Sequence, residues 1–236
     1  MVCGPTGHLV GSFVLQKDGA SYRSRNAFNT VASIDDWSAP IMSEVGPDGN
    51  VWVLDWYNYI VQHNPTPNGF QTGKGAAYES DLRDKRFARI YRLLTKESAD
   101  NSPSRTMQLA GASNEELIEA LESDNFFWRR AAQRLLVERE ATDQSTLKAL
   151  VGCVSRTRID EIGLDPAAMT AIWTLAGLAD SGDAAAGEAL AAACESGFKH
   201  VSSPVRNAAV GYCDESQISQ AIQAGLHTDV DPKVRL

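Results

Sequence analysis

Residues 46–58 read GPDGNVWVLDWYN, and this stretch decides the fold predicted for the first part of the chain. A Pro-Asp-Gly-Asn turn leads directly into a strand of alternating side chains. Pro47 presets φ at the second position of the turn, and Gly49 tolerates a positive φ at the fourth. Strand–turn units of this kind are typical of antiparallel all-β repeats such as propellers.

Further strands are predicted on both sides of this unit. Leu9–Leu15 and Ser21–Arg25 flank a tight turn, Ile41–Val45 precedes the Pro-Asp-Gly turn, and Arg89–Leu94 forms the last strand. The strands amount to one propeller blade and part of another, since a blade has about four strands. Because so few strands cannot close a ring, we expect the 236 residues to be a piece of a longer protein.

Composition divides the chain in two. Residues 1–93 contain 9 Lys and Arg, 9 Asp and Glu, and 12 of the 18 aromatic residues. Residues 94–236 contain 13 Lys and Arg against 21 Asp and Glu, which accounts for the whole net charge of -8. We therefore predict an α+β chain with a β part at 1–94, a polar linker at 95–110 and a helical part at 111–236.

The same composition excludes several classes of protein. The acidic balance argues against binding of nucleic acid, which needs clustered Lys and Arg. No apolar run approaches the roughly 20 residues that span a bilayer, and residues 1–20 do not have the pattern of a signal peptide. The four cysteines lack zinc or haem-attachment spacing, so we predict plain thiols, with a disulfide between two of the helical ones left open.

The helical part has the pattern of stacked helix pairs. Ser113–Glu116 fits a capping box before a first apolar stripe, and a second stripe begins at Trp128. Asp165 and Pro166 are the N-cap and first residue of a later helix. An Ala-rich helix follows around 184–194.

The internal repeat is direct. Trp128–Ala132, Val205–Ala209 and Val234–Leu236 share an apolar-or-aromatic residue followed by Arg. The unit is similar to HEAT-type repeats, so an α-solenoid of HEAT-like helix pairs, truncated at the end of the chain, is predicted. We expect the repeated Arg to pair with an Asp or a helix end in the next repeat; a ligand-binding role for Arg206 is the alternative.

The candidate site residues lie at and after the end of the decisive strand. Tyr57–Phe87 is too long and too polar for an ordinary turn, which leaves two readings: a ligand-binding rim or a structural Ω-loop. His63 is either a hydrogen-bonded structural group or a catalytic or metal-binding one, and His8 is similarly ambiguous. Asp55 follows an apolar strand and needs a partner such as Arg83 or Arg89, either in a structural ion pair or in catalysis.

Asp48 is interpreted most simply as a turn former. A calcium role has little support, because hard cations need six or more oxygen ligands and the chain has no EF-hand spacing. No metal site is predicted.

Several motifs together resemble a known family, the membrane-bound dehydrogenases with haem-binding domains found in planctomycetes. The matching stretches are Pro5–Val10, Asp35–Pro40, Gly46–Gly49, Asp55–Asn58, Gln62–Asn64 and Arg89–Arg92. That family has a sorbosone/glucose-dehydrogenase-like propeller, then HEAT-like repeats, then a c-type cytochrome domain. The resemblance therefore implies that this chain is the last one to two blades of such a propeller with its helical spacer.

The resemblance also implies a chemistry for the parent protein. His63, Asp55 and Arg83 would be catalytic, with His63 as a general base, and Asn58 and Tyr57 would contact a cofactor. Relatives oxidise sugars or alcohols, some with pyrroloquinoline quinone and calcium, and pass electrons to a c-type haem on a domain that this chain lacks. The partners would be the other blades and the cytochrome domain, in the periplasm or outside the cell.

A second hypothesis needs no catalysis. The acidic helical part would be a HEAT-repeat scaffold that binds protein partners, and the β part would cap it. Under either hypothesis we expect no cofactor in this chain and no turnover from this chain alone.

Overall fold

The computed structural model describes residues 1–59, 71–72, 78–79, 86–96 and 107–235. It contains both strands and helices, and the chain separates into two compact units, Met1–Arg105 and Thr106–Leu236. We call them the β unit and the helical unit. His63, Arg83 and most of the predicted linker lie outside the described residues.

The β unit is built from antiparallel strands. Two sheets have three strands each, in the orders β1-β2-β3 and β4-β5-β8, and β6 pairs with β7. The strands are β1 (Val2–Gly4), β2 (Leu9–Asp18), β3 (Ser21–Ala32), β4 (Pro40–Val45), β5 (Val51–Asp55), β6 (Gln71–Thr72), β7 (Tyr78–Glu79) and β8 (Arg89–Leu93).

The five strands predicted from the sequence are confirmed, but two are longer than predicted: β2 ends at Asp18, where Leu15 was expected, and β3 ends at Ala32, where Arg25 was expected. The sequence analysis missed β1, β6 and β7, which have only two or three residues each and therefore too little periodicity to detect. The larger sheets have three strands, where a propeller blade was expected to have four. Within the described ranges the sheets do not close into a propeller.

The predicted turn at residues 46–49 is confirmed. The amide of Gly49 donates to the carbonyl of Gly46 at 3.0 Å, and Gly49 has a φ of 76°. Asp48 accepts hydrogen bonds from the indole of Trp52 and from Asn50, and pairs with Arg92 on β8. These donors lower the pKa of Asp48 to about 2 against the opposing effect of burial, so its side chain ties the turn to the sheet.

The described residues of the helical unit form seven α-helices. They are α1 (Asn114–Ala120), α2 (Phe126–Glu138), α3 (Gln144–Ser155), α4 (Pro166–Ala179), α5 (Ala184–Phe198), α6 (Ser203–Tyr212) and α7 (Ile218–Gln223). The predicted capping box is confirmed, because Glu116 N donates to Ser113 Oγ and Ser113 N donates to Glu116 Oε2. Asp165 also caps α4 as predicted, with Pro166 as its first residue.

The helices pack in a regular order. Extensive contacts join α1 to α2, α3 to α4, α4 to α5 and α5 to α6, whereas the pairs α2–α3 and α6–α7 are not among the more extensive contacts. Contacts between alternate helices join α1, α3, α5 and α7 on one side, and α2, α4 and α6 on the other. The core between these two rows includes Leu136, Leu150, Ile172, Leu175 and Val205, all fully buried.

One arginine contact recurs along the unit. Arg129 and Arg206 each lie four residues after the N-cap of their helix and donate to the carbonyls five and six residues before them. Arg235 donates to the carbonyl of Asp229, also six residues before it. The sequence repeat therefore corresponds to a recurring contact, in which the Arg binds backbone carbonyls of the segment before it.

Arg206 also pairs with Asp229 through two parallel bonds of 2.7 and 2.8 Å. The prediction that the repeated Arg pairs with an Asp is confirmed for this residue, while the assignment of Asp229 to a further repeat remains a prediction.

The four cysteines are all free thiols, and Cys153 and Cys194 are buried. Among the described residues, none of the helices is both long enough and apolar enough to cross a bilayer.

Candidate functional site

Polar and aromatic side chains meet at one end of the β4-β5-β8 sheet. Asp35 and Trp37 belong to the loop between β3 and β4, Asp55 and Tyr57 to the end of β5, and Arg89 to the start of β8. The strand register brings these elements together, because Asp55 is paired with Pro40 on one side and with Arg89 on the other. We call these five residues the strand-end cluster.

Asp55 is the innermost residue of the cluster and is fully buried, as its position after an apolar strand suggested. Its carboxylate accepts hydrogen bonds from the amides of Ala39 and Tyr57, at 2.7 and 2.8 Å, and from the hydroxyl of Ser38 at 3.2 Å. These donors compensate for burial and join the β3–β4 loop to the end of β5.

The predicted ion pair of Asp55 is not seen among the described residues. Arg89 is the cross-strand neighbour of Asp55, yet its guanidinium carbon lies 3.2 Å from the centroid of the Tyr57 ring instead. The amide and hydroxyl donors already satisfy the carboxylate, so it does not require a cation. Arg83, the other predicted partner, lies outside the described residues.

Tyr57 is the centre of the exposed part of the cluster. Its φ of 51° is in the left-handed region, which is costly for an aromatic residue and recurs at functional sites. The ring stacks on Trp37 with a centroid distance of 6.0 Å and an interplanar angle of 29°. Arg89 contacts the same ring as a cation–π partner.

Asp35 supplies an exposed carboxylate beside these rings. It accepts hydrogen bonds from the amide of Trp37 and from the hydroxyl of Tyr57, each at 3.0 Å. The pKa of Asp35 is lowered by these bonds, first by the one from Trp37, and by the positive charge of Arg89. Asp35 is therefore ionised at neutral pH.

Arg89 carries a donor that is not satisfied. Its Nη1 atom is buried and has no hydrogen-bond partner among the described residues. A buried donor without an acceptor is costly, so Nη1 is suited to an oxygen atom of a bound ligand.

His8 supports the cluster from the side. It has a φ of 54°, and its Nδ1 lies 2.6 Å from the carbonyl oxygen of Ser38. Because a carbonyl can only accept, we assign the Nδ1–H tautomer. This contact favours the structural reading of His8.

The structure places three of the five predicted site residues. Asp55 and Tyr57 are adjacent and hydrogen-bonded, and Asn58 beside them is buried. His63 lies outside the described residues, as Arg83 does, so the catalytic roles assigned to them remain predictions.

Sequence reasoning did not select Asp35 or Trp37 as site residues. They lie 20 and 18 residues before Asp55, the last residue of β5, and only the sheet register brings the two segments together. The available signal was a carboxylate next to an aromatic residue in the loop before a predicted strand.

The described residues do not fit a metal ion. No three His, Cys, Asp or Glu side chains among them converge in a way that could hold one. The sequence also lacks the C-x-x-C-H motif that attaches c-type haem. The described residues therefore offer no ligand set for calcium, and the sequence offers no attachment site for a c-type haem.

Comparison with known proteins gives one match. Residues 1–97 match a family described as Domain of unknown function (DUF7133), which covers the β unit up to the start of the predicted linker. That description names no activity. A search of curated proteins finds no match, and a search of solved structures finds none either.

Proposed function

We propose that this chain is part of a dehydrogenase-like propeller protein that oxidises a sugar or another alcohol, and that the strand-end cluster faces the substrate. The supporting observation is the meeting of an ionised carboxylate, a guanidinium and two stacked rings at one end of a sheet. Aromatic faces pack against the C–H surface of a sugar, while charged groups bind its hydroxyls.

The cluster residues would have distinct roles. Asp35 would accept a hydrogen bond from a substrate hydroxyl, and Arg89 Nη1 would donate to a substrate oxygen. Asp55, held by three protein donors, would fix the geometry of the loop beneath.

The resemblance supplies the remaining parts of the proposal. His63 would act as the general base, Arg83 as an anion contact, and Asn58 as a residue that lines the site. The two electrons removed from the substrate would pass to a cofactor and then to a haem domain outside this chain, in the periplasm or outside the cell.

Adjacent carboxylates provide a matched test of substrate binding. Asp35 and Asp36 are both exposed, but of the two only Asp35 accepts hydrogen bonds from Trp37 and Tyr57. Saturation-transfer NMR with a panel of sugars and polyols should show binding that weakens about fivefold or more in Asp35→Asn and is unchanged in Asp36→Asn. Equal affinities in the two variants would count against the proposed substrate-facing role.

The catalytic part of the proposal is tested in the longer parent protein. Reduction of an artificial acceptor with sugar substrates should be lost in the parent with His63→Ala. Unchanged reduction in the His63→Ala variant would show that His63 is not the general base. Absence of reduction by the unsubstituted parent with every sugar and alcohol tested would contradict the proposed dehydrogenase activity.

A second candidate function is favoured by the helical unit: a HEAT-type scaffold that binds protein partners. The contacts between alternate helices and the recurring arginine contact support it. In such a stack each repeat depends only on its neighbours. Hydrogen exchange should therefore become faster in α5 to α7 of Arg206→Ala while α1 and α2 keep their protection; an equal rise throughout the unit would contradict a repeat stack.

A further inference from the structure

The loops that lead into α2, α4 and α6, together with residues 229–231, form one continuous edge of the helical unit. Side-chain contacts join each loop to the next. Arg158 pairs with Glu122, Ser202 Oγ donates to the carbonyl of Gly163 at 2.7 Å, and Ser203 Oγ donates to Asp231 at 2.6 Å. We call this row of loops the loop edge.

Large apolar side chains are exposed along the loop edge. The exposed fraction is 80% for Ile162, 61% for Val201 and 89% for Val230, each on a successive loop. Single exposed apolar residues are common, but a row of them on adjacent loops indicates an interaction surface.

A pocket of about 480 Å³ lies at the first end of the loop edge, between the loop before α2 and the loop before α4. Four of its lining residues are acidic and two are arginines. The arginines are already engaged, because Arg129 donates to the carbonyls of Ser123 and Asp124 and Arg158 pairs with Glu122. Asp124 and Asp160 are exposed, and both interact electrostatically with the guanidinium of Arg129. Because four acidic residues stand against two arginines, the net charge of the pocket lining is negative.

We propose that the loop edge binds an extended segment of a partner protein that carries a Lys or Arg side chain for the pocket and apolar side chains for the row beside it. This inference rests on the scaffold function proposed above. Successive packed helices lie about 8–10 Å apart, and an extended chain in the polyproline II conformation rises about 3.1 Å per residue with three residues per turn. Apolar residues at every third position of the partner would therefore face the row at matching intervals.

Charge argues for a basic partner over a second copy of the chain. The residues from 94 onward hold 21 acidic and 13 basic side chains, so two such units would repel each other, whereas a basic segment is attracted. The acidic pocket gives the cationic side chain a defined place, and the apolar row supplies burial.

Fluorescence anisotropy on the full chain tests the proposal with labelled peptides. The probes have one Arg and three Leu at every third position, with Ser and Gly between them, and the Arg at either end because the chain direction is not fixed. At least one should bind saturably and more weakly at higher salt. The versions with Glu in place of Arg, or Ser in place of Leu, should lose about tenfold or more in affinity.

Matched variants locate the binding surface. Val201→Ser, Val230→Ser and Asp124→Asn change exposed side chains and should each weaken binding about threefold or more. The control is Ile218→Ser, which is 43% exposed on α7, after the opposite end of α6, and should bind as the unchanged chain does.

The possible results test the proposed binding surface and the proposed scaffold function separately. Peptide binding that is insensitive to the loop-edge variants would overturn the surface and leave the scaffold in place. Absence of binding by both peptides would also overturn the surface, while the hydrogen-exchange pattern decides independently whether the repeat stack exists. If sedimentation shows a dimer of the unchanged chain and Val230→Ser dissociates it, the loop edge binds a second copy of the chain, and the proposal of a basic partner segment is wrong.

Discussion

Gly197 on α5 and Ala209 on α6 approach so closely that a Cβ atom added to Gly197 would lie 2.7 Å from the Cβ of Ala209. Both residues are buried, and small side chains are what allow these two helices to pack at this distance. Ala209 ends the repeated stretch Val205–Ala209, so this part of the repeat has a direct role in helix packing.

Gly197→Ala should therefore destabilise the helical unit by about 1–3 kcal/mol, because α5 and α6 must move apart. The matched control is Gly187→Ala on the same helix, where an added Cβ meets no atom within 4 Å. That change should stabilise by up to about 1 kcal/mol through helix propensity. Urea denaturation measures both, and the same sign for the two variants would contradict the packing argument.

The carboxylate of Asp55 gives a second prediction. Asp55→Asn should destabilise the β unit by about 1–3 kcal/mol, because an amide nitrogen would replace an oxygen that accepts from the protein. Asp36→Asn, on the exposed loop nearby, should change the free energy of unfolding by less than about 0.5 kcal/mol. Near-UV circular dichroism of the aromatic cluster during thermal unfolding would report the difference, and an equally small effect at both positions would show that Asp55 is not a structural anchor.

Local signals explain which parts of the fold were predictable. The capping box at Ser113 and the start of α4 at Asp165 depend on residues within three positions of each other, so the sequence predicts them. Among the donors to Asp55, Tyr57 lies only two residues away, but Ser38 and Ala39 lie 17 and 16 residues away. Their approach depends on the pairing of β4 with β5 and on the path of the preceding loop.

The strand-end cluster shows the same limit. Tyr57 enters the predicted site through the family resemblance, whereas its contact with Asp35 spans 22 residues and has no local signal. For Asp55, the sequence predicted the need for a partner but not that backbone amides would meet it. The left-handed conformation of Tyr57 has no sequence signal, because such a conformation is favoured by Gly or Asn and not by an aromatic residue.

The buried imidazole of His200 predicts a dependence of stability on pH. Its Nδ1 accepts from the amide of Ser202, and its Nε2 lies 3.5 Å from the carboxylate of Asp165. Burial lowers the pKa of His200 from its ordinary value of 6.5, despite the attraction of Asp165, and Arg206 nearby acts in the same direction as burial.

The unfolded chain therefore takes up a proton at a higher pH than the folded chain does. The free energy of unfolding should be constant with respect to this group above pH 6.5 and should fall as the pH drops from there through the lowered pKa of the folded state. Urea denaturation between about pH 7.5 and 5 measures the slope. His200→Gln should flatten it, and the exposed His227→Gln should not; a slope unchanged in His200→Gln would assign the dependence to other groups.

The pair formed by Arg206 and Asp229 gives the last prediction. Both side chains are largely buried, and the guanidinium also donates to the carbonyls of His200 and Val201. Arg206→Ala should cost about 3–5 kcal/mol, because it leaves a largely buried carboxylate without its counter-charge and two carbonyls without the guanidinium donor. Asp229→Asn should cost less, since the carbonyl contacts of Arg206 remain.

An exposed pair on α2 is the control for this prediction. Arg134 and Glu138 are 3.4 Å apart but mostly in solvent, so Arg134→Ala should cost less than about 1 kcal/mol. The hydrogen bonds from Arg206 lower the pKa of Asp229, so the stabilisation by the pair is complete above pH 3.8 and is lost as the pH falls through the lowered pKa of the folded state. Chemical denaturation of Arg206→Ala, Asp229→Asn and the double variant gives the coupling energy; a coupling near zero would mean that the repeated Arg acts through the loop carbonyls alone.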